Sequence, residues 1–346
     1  MNNQPKRRKL EPAAPFYPVL SPEFTEPTPL IYVYVDIIKD VKSISKVLVE
    51  LNSVLPIPEL GHLKRARGRE ILICRWSADL QPEGVHAVLK YKQFDISQLE
   101  GNIKKMLVAA TVPKTKRQYQ VVQKLWPCNF HSDKYIEQLC DNVLFTAHEI
   151  NDHIKYMNVA LDIAKFYKSR VGTIVVNPSI KSIIAVGFDK RFINPCQHAV
   201  MVAIDNVALT QNGGAWQNVK EAIKIRDHLN VNGLTLVLLQ FLQEKYDDTN
   251  FGAKKLVEKP EIQTPSDDPY LCTGYEVYTT QEPCIMCSMA LIHSRASRVF
   301  FGAKNNNGGL GSLCQIHTVK NLNHHYEVFG GLLEHECTKL LSVSLT

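Results

Sequence analysis

From Leu30 onward the pattern of the chain changes and becomes apolar. Ile31-Tyr-Val-Tyr-Val-Asp-Ile-Ile38 is a run of β-branched and aromatic residues that predicts a strand. Apolar residues then recur at helical spacing from Ser43 to Leu51. A second strand, Glu70 to Trp76, follows the basic loop Lys64-Arg-Ala-Arg-Gly-Arg69, and further helical and extended segments carry the pattern to about Leu125. These elements predict a small α/β domain over residues 29–140, ending between Trp126 and Asp141. Residues 1–28, rich in Pro and polar side chains and without period, read as a disordered tail.

The pattern resumes with a helix through Asn158-Val-Ala-Leu-Asp-Ile-Ala-Lys-Phe-Tyr167, whose Val159, Ile163, Ala164 and Phe166 form an apolar stripe. Two short β-branched runs, Val171 to Pro178 and Lys181 to Gly187, predict a hairpin, and Asn194-Pro195 introduces a helix near Gln197. The segment from Ala208 to Leu271 reads as an insertion, with a helical centre over Val231 to Glu244 and a mobile loop over Asp247 to Asp268. Then come a strand at Tyr275 to Thr279, a helix from Pro283 to His293 and a strand at Arg298 to Gly302. This alternation predicts, over residues 141–346, a mixed sheet covered by helices.

Composition narrows the classes open to such a chain. With 346 residues, 45% apolar and 21% charged, it fits two globular domains, and no stretch reaches the roughly 18 apolar residues of a membrane span. The N-terminus carries the basic run Lys6-Arg7-Arg8-Lys9 where a secretory signal would have an apolar core, so the expected location is nucleus and cytoplasm. Nine cysteines, an odd number in an intracellular chain, point to metal binding or burial rather than to a disulfide framework. Residues 1–145 hold 21 Lys+Arg against 15 Asp+Glu, and residues 146–346 hold 19 against 19, so the whole excess is N-terminal. A basic first half suits contact with a polyanion; a solvated surface accounts for the charge equally well.

The chemistry lies in the second half. His198-Ala-Val200 is followed, 83 residues after Val200, by Pro283-Cys284-Ile-Met-Cys287. Two cysteines three apart at a helix start share one face of the first turn, where free N–H groups and the helix dipole favour thiolates, and Pro283 suits the first helical position. One imidazole from a second helix start completes three ligands, leaving the fourth position of a tetrahedral Zn²⁺ open. Cys196 is either an additional ligand or, the simpler reading, a small residue near a helix start; His317, His324, His325 and His335 have no ligand spacing.

His198 with Pro283-Cys284-x-x-Cys287 resembles the zinc nucleobase deaminases, and Thr280 to Arg295 with Arg298 to Ala303 is similar to the tRNA adenosine deaminases in particular. The resemblance covers roughly residues 150–346 and implies a cytidine-deaminase-like three-layer α/β/α sandwich that holds Zn²⁺ through His198, Cys284 and Cys287. Active members carry, two positions after the histidine, a glutamate that shuttles the proton; here that position is Val200. Losing proton transfer costs on the order of 10²- to 10⁴-fold in rate. Neither Glu282 nor Asp205 replaces it: the first matches a glutamate also present in active tRNA deaminases, and the second lies about 10 Å along the helix from His198. A valine beside an intact metal signature resembles the non-catalytic subunit of the eukaryotic heterodimeric deaminase that converts wobble adenosine to inosine. That resemblance implies a catalytic partner chain and tRNA as partners, and no membrane. It also gives Lys64, Arg65, Arg67, Arg69, Lys104, Lys105, Lys114, Lys116 and Arg117 an expected role on the tRNA backbone. Two other readings stay open: a zinc deaminase active through an unidentified base, and an interaction module in which zinc is structural.

Overall fold

The computed structural model describes residues 14–216, 223–225, 229–254 and 270–342. The chain divides into two units, residues 22–140 and residues 1–21 with 141–346.

Strand β1 (Tyr17–Pro18) precedes a one-turn helix, α1 (Pro22–Thr25), which opens the smaller unit. There β2 (Leu30–Ile37) is followed by α2 (Ile44–Val54), the strands β3 (Ala66–Arg67) and β4 (Glu70–Arg75), α3 (Pro82–Tyr91) and β5 (Lys104–Ala109). Two short helices, α4 (Lys116–Val122) and α5 (Lys134–Cys140), close it. The strands lie antiparallel in the order β3-β4-β2-β5. Alternation along β2 sends two apolar sets to opposite faces. Val33 and Val35 pack with Leu72, Val108, Val122 and Trp126, while Tyr34 packs with Ile71 and Ile73 against Val47 and Leu51 of α2 and Val85 and Leu89 of α3. Both faces are therefore covered, which is why β2 reads as a nearly continuous apolar run.

In the larger unit α6 (Ala147–Phe166) leads into the hairpin β6 (Gly172–Asn177) and β7 (Ser182–Phe188), then α7 (Ala199–Thr210). After β8 (Ile223–Ile225), β9 (Leu229–Val231), α8 (Leu236–Lys245), β10 (Asn250–Phe251) and β11 (Ala253–Lys254) come β12 (Glu276–Gln281), α9 (Ile285–His293), β13 (Arg298–Ala303), β14 (Glu327–Gly330) and α10 (Glu334–Ser342). The main sheet runs β1-β14-β13-β12-β6-β7-β10, with β12, β13 and β14 parallel and β6 antiparallel to both its neighbours. Helices α7 and α9 cover one face through Val200, Ala203, Val207, Leu291 and Ile292, packed on Val175, Val277 and Val299. Helices α6 and α10 cover the other, where His153 stacks on Phe300 amid Phe145, Tyr278 and Phe329. This is a three-layer α/β/α sandwich. Gly187 lets α7 press onto β7: a Cβ there would lie 2.2 Å from the Ala199 carbonyl oxygen. Among the described residues no helix is long and apolar enough to cross a membrane.

Several expectations need correcting. The tail expected over residues 1–28 folds from residue 14: Phe16 is 2% exposed within the aromatic cluster, and β1 pairs antiparallel with β14. A two-residue strand has no period, and its partner lies near the far end of the sequence. Lys6 to Lys9 lie outside the described residues. The loop expected over Asp247 to Asp268 contains β10, which joins β7, and β11, which joins β9; residues 255–269 lie outside the described residues. Phe166, expected on the apolar stripe of α6, is 43% exposed, at the point where that helix ends.

Candidate metal centre

His198 is the N-cap of α7 and Cys284 the N-cap of α9, both with extended backbone. Neither side chain caps its own helix. The two meet instead, with Cys284 Sγ 3.5 Å from His198 Nδ1. Cys287, one turn into α9, is buried, and the donor atoms of the three residues lie within 4.8 Å of one another, the one such group among the described residues. Pro283 therefore precedes the cap instead of opening the first turn. A sulfur at about 2.3 Å and a nitrogen at about 2.0–2.1 Å from a tetrahedral zinc stand about 3.6 Å apart, so the observed separation and the soft donor set both fit that ion.

The cysteines are electrostatically unequal. The Cys287 thiol donates to Cys284, and this bond, aided by the Cys287 backbone N–H and by His198, brings the Cys284 thiol down to about 5 against the opposing effect of burial. The same contact, together with burial, pushes the Cys287 thiol up. A thiolate thus stands ready at the start of α9, where the free N–H groups of the first turn favour it.

A cleft of about 380 Å³ opens over these side chains, walled by Val200, Asp189, Arg191, Arg170, Glu282 and Asn305 among others. Val200, the second residue of α7, is 3% exposed and packs with Ala203, Cys287 and Leu291. Its hydrocarbon can neither accept nor donate a proton. Both carboxylates of the cleft already have partners. Asp189 accepts from Arg191 Nε at 2.9 and 2.8 Å, a contact that raises the arginine's pKa. Glu282, 2% exposed, accepts from the backbone N–H groups of Asn305 (3.2 Å), Leu310 (3.1 Å) and Ser312 (3.0 Å) and from the Ser312 hydroxyl. Gly308 makes room for that carboxylate, since a Cβ there would lie 2.1 Å from the carboxyl carbon. Asp205 lies outside the cleft lining and accepts from the Ala215 N–H at 2.6 Å. Cys196 is exposed and outside the ligand group. His317 and His324 contact the carbonyls of Val19 and Ala296, and His325 that of His317. Asp189, Arg191, Arg170 and Asn305 carry no spacing signal; loops after β7 and β13, and the one before β6, bring them to the cleft.

The basic residues of the smaller unit fall into two kinds. Arg65 donates to the carbonyls of Leu72, Leu55 and Ile73 and to Asn52 Oδ1, and burial lowers its pKa to about 10. Arg67 donates to Glu70 and the Leu125 carbonyl and lies over Trp126; Arg69 donates to the Ile38 and Lys39 carbonyls and to Glu100. These three brace the β3–β4 hairpin. Lys64, Lys104, Lys105, Lys114, Lys116 and Arg117 are exposed, the last three around the start of α4 and Lys104 and Lys105 at the start of β5.

Residues 150–303 match the family model described as the cytidine and deoxycytidylate deaminase zinc-binding region. The chain is 35% identical, over 93% of its length and 93% of the relative's, to the probable inactive tRNA-specific adenosine deaminase-like protein 3 of Danio rerio. It is 32% identical to the Homo sapiens protein of that name, covering 92% of this chain and 90% of that one. To the tRNA-specific adenosine deaminase TAD3 of Arabidopsis thaliana it is 23% identical, over 95% of this chain and 97% of that one. Fold, donor set and full-length similarity converge, and the chain belongs to the family of the inactive tRNA-specific adenosine deaminase-like proteins 3.

Proposed function

We propose that this chain is the catalytically silent, zinc-holding subunit of a tRNA adenosine deaminase, paired with a catalytic chain that converts wobble adenosine to inosine. One observation carries the reading: Val200 occupies the proton-shuttle position on the cleft wall, and the two nearby carboxylates are tied to Arg191 and to the loop from Asn305 to Ser312. His198, Cys284 and Cys287 would hold zinc, which supplies Lewis acidity in a deaminase. With Val200 at the shuttle position and both cleft carboxylates already partnered, what the residues around it contribute is a fixed wall and two helix starts locked together. Zinc then serves the fold, as a three-ligand staple between α7 and α9. The exposed lysines of the smaller unit support the part of the proposal that concerns tRNA, by touching the RNA backbone and positioning it without reading sequence. A nuclear and cytoplasmic distribution, with Lys6 to Lys9 as import signal, belongs to the same proposal, and deletion of that run should exclude a fluorescent fusion from the nucleus.

The test is inosine formation on tRNA by the chain alone, by its partner alone and by the two co-expressed. Activity is expected from the pair only, surviving Val200→Ala within about twofold and abolished when the partner's own proton-shuttle glutamate is removed. Turnover by the isolated chain, lost on Cys284→Ala, would overturn the proposal in favour of an unidentified base. A pair whose activity is unchanged by leaving this chain out would make it an interaction module.

A further inference from the structure

In the smaller unit, away from the helix and sheet packing that buries its core, two large aromatic rings lie exposed beside each other on the sheet. Tyr32, on the central strand β2, is 42% exposed, and Trp76, just past the end of β4, is 37% exposed. The Trp76 N–H donates to the Tyr32 carbonyl at 3.0 Å, which fixes the two residues side by side. Their ring centroids are 6.3 Å apart with planes at 68°. Across the sheet from β5, the Lys105 ammonium sits 3.7 Å from the Trp76 centroid and 4.1 Å from that of Tyr32. Lys104 beside it is exposed.

We infer that Tyr32, Trp76 and Lys105 form a stacking site for an unpaired nucleobase of RNA, with Lys105 passing from the rings to the adjoining phosphate when the base arrives. The inference rests on the reading of this chain as a tRNA-binding subunit and adds to it a second kind of interaction, through π-faces. The magnitudes favour the exchange. A cation over a ring at an exposed site gains about two- to fivefold in an equilibrium, whereas a base stacked on an aromatic side chain gains about 5- to 150-fold. The displaced ammonium keeps its charge and gains a phosphate partner, releasing a counterion. The unit that carries the platform is basic as a whole, residues 22–140 holding 17 Lys+Arg against 13 Asp+Glu, and exposed Lys104 adds a cation beside Lys105. Paired bases within a duplex cannot reach such a platform; the splayed bases of a loop can.

The experiment uses the full chain co-purified with its catalytic partner. Binding is measured over a salt series to three RNAs of equal length: a single strand, a stem-loop with a seven-base loop, and a blunt duplex. The double variant Tyr32→Ala/Trp76→Ala should weaken binding of the single strand and stem-loop by about 10- to 100-fold, with an unchanged salt slope and less than threefold change on the duplex. Tyr32→Phe/Trp76→Phe should restore most of the loss, and Lys105→Gln should lower the salt slope on the single strand by about 0.7. Equal loss on all three RNAs, no loss, or failure of the Phe pair to rescue a folded protein would overturn the stacking site while leaving RNA binding by the complex intact. A wild-type complex that binds none of the three would instead overturn the reading on which the inference rests.

Discussion

At the metal cleft, charged and ligating side chains converge on a point because backbone geometry leaves them no choice; on the smaller unit, cations are spread over a surface and their neighbours decide what each one does. His198 and Cys284 are caps of two helices packed on one sheet, so their separation is set by the main chain. Arg65, Arg67 and Arg69 belong to the same basic run as Lys64, yet the arginines turn back into the fold while Lys64 stays in solvent. A short ligand motif thus reports its own geometry, whereas a charge run does not. Guanidinium, with five donors in a planar fork, is the better brace; ammonium, a compact hydrated point charge, is the better free cation.

The sharpest way to break the cleft half of this contrast is to remove a thiolate. Cys284→Ala should take bound zinc from about one per chain to below a tenth, read by elemental analysis after dialysis, because removing a ligand must exceed the 10- to 100-fold loss that even outer-sphere changes cause. If zinc remains stoichiometric, Cys196 or another group completes the site, and the three-ligand assignment fails.

Next in size is the loop latch. Glu282→Ala removes the buried acceptor for three backbone N–H groups and one hydroxyl, and such an orphaned cluster costs about 3–5 kcal/mol. Urea unfolding followed in the larger unit should show it. The cost would fall below about 1 kcal/mol only if Glu282 were free to act in the cleft, which would reopen the question of an alternative base.

How much of the molecule is legible in the sequence follows the same division. The β-branched and aromatic run from Ile31 to Ile38 and the apolar hairpin runs mark central strands of the two larger sheets, because a short continuous apolar run bounded by turn residues suits a strand covered on both faces. Thr146 and Glu149 form a capping box that places the true start of α6, eleven residues before the helix read from its apolar stripe; the cue lies in the polar residues that an apolar reading passes over. Strand β1 carries no such cue, because only β14, at the other end of the chain, makes Tyr17–Pro18 a strand. At the site, His198, Cys284, Cys287 and Val200 are legible from spacing, whereas the pairing of Asp189 with Arg191 depends on a loop whose path no motif encodes.

The smallest effects test the other half of the contrast, the separation of braces from free cations within one basic surface. Arg65→Met deletes four hydrogen bonds at a half-buried position. At about 0.5–1.5 kcal/mol each, less what relaxation recovers, it should destabilise the smaller unit by about 2–4 kcal/mol and leave the salt slope of tRNA binding unchanged. Lys114→Gln and Lys116→Gln should do the reverse, changing stability by less than about 0.5 kcal/mol and lowering that slope by just under one for each phosphate left without its cation. Both readouts come from one protein preparation, by urea titration and by binding at several salt concentrations. A lysine variant that unfolds the unit, or an Arg65 variant that flattens the slope without destabilising, would show that the two kinds of cation are not divided as the hydrogen bonds divide them. Since a guanidinium already held by three carbonyls must break those bonds before it can reach a phosphate, the binding energy it could offer is largely used up inside the fold, and the lysines are left as the cations able to follow a moving polyanion.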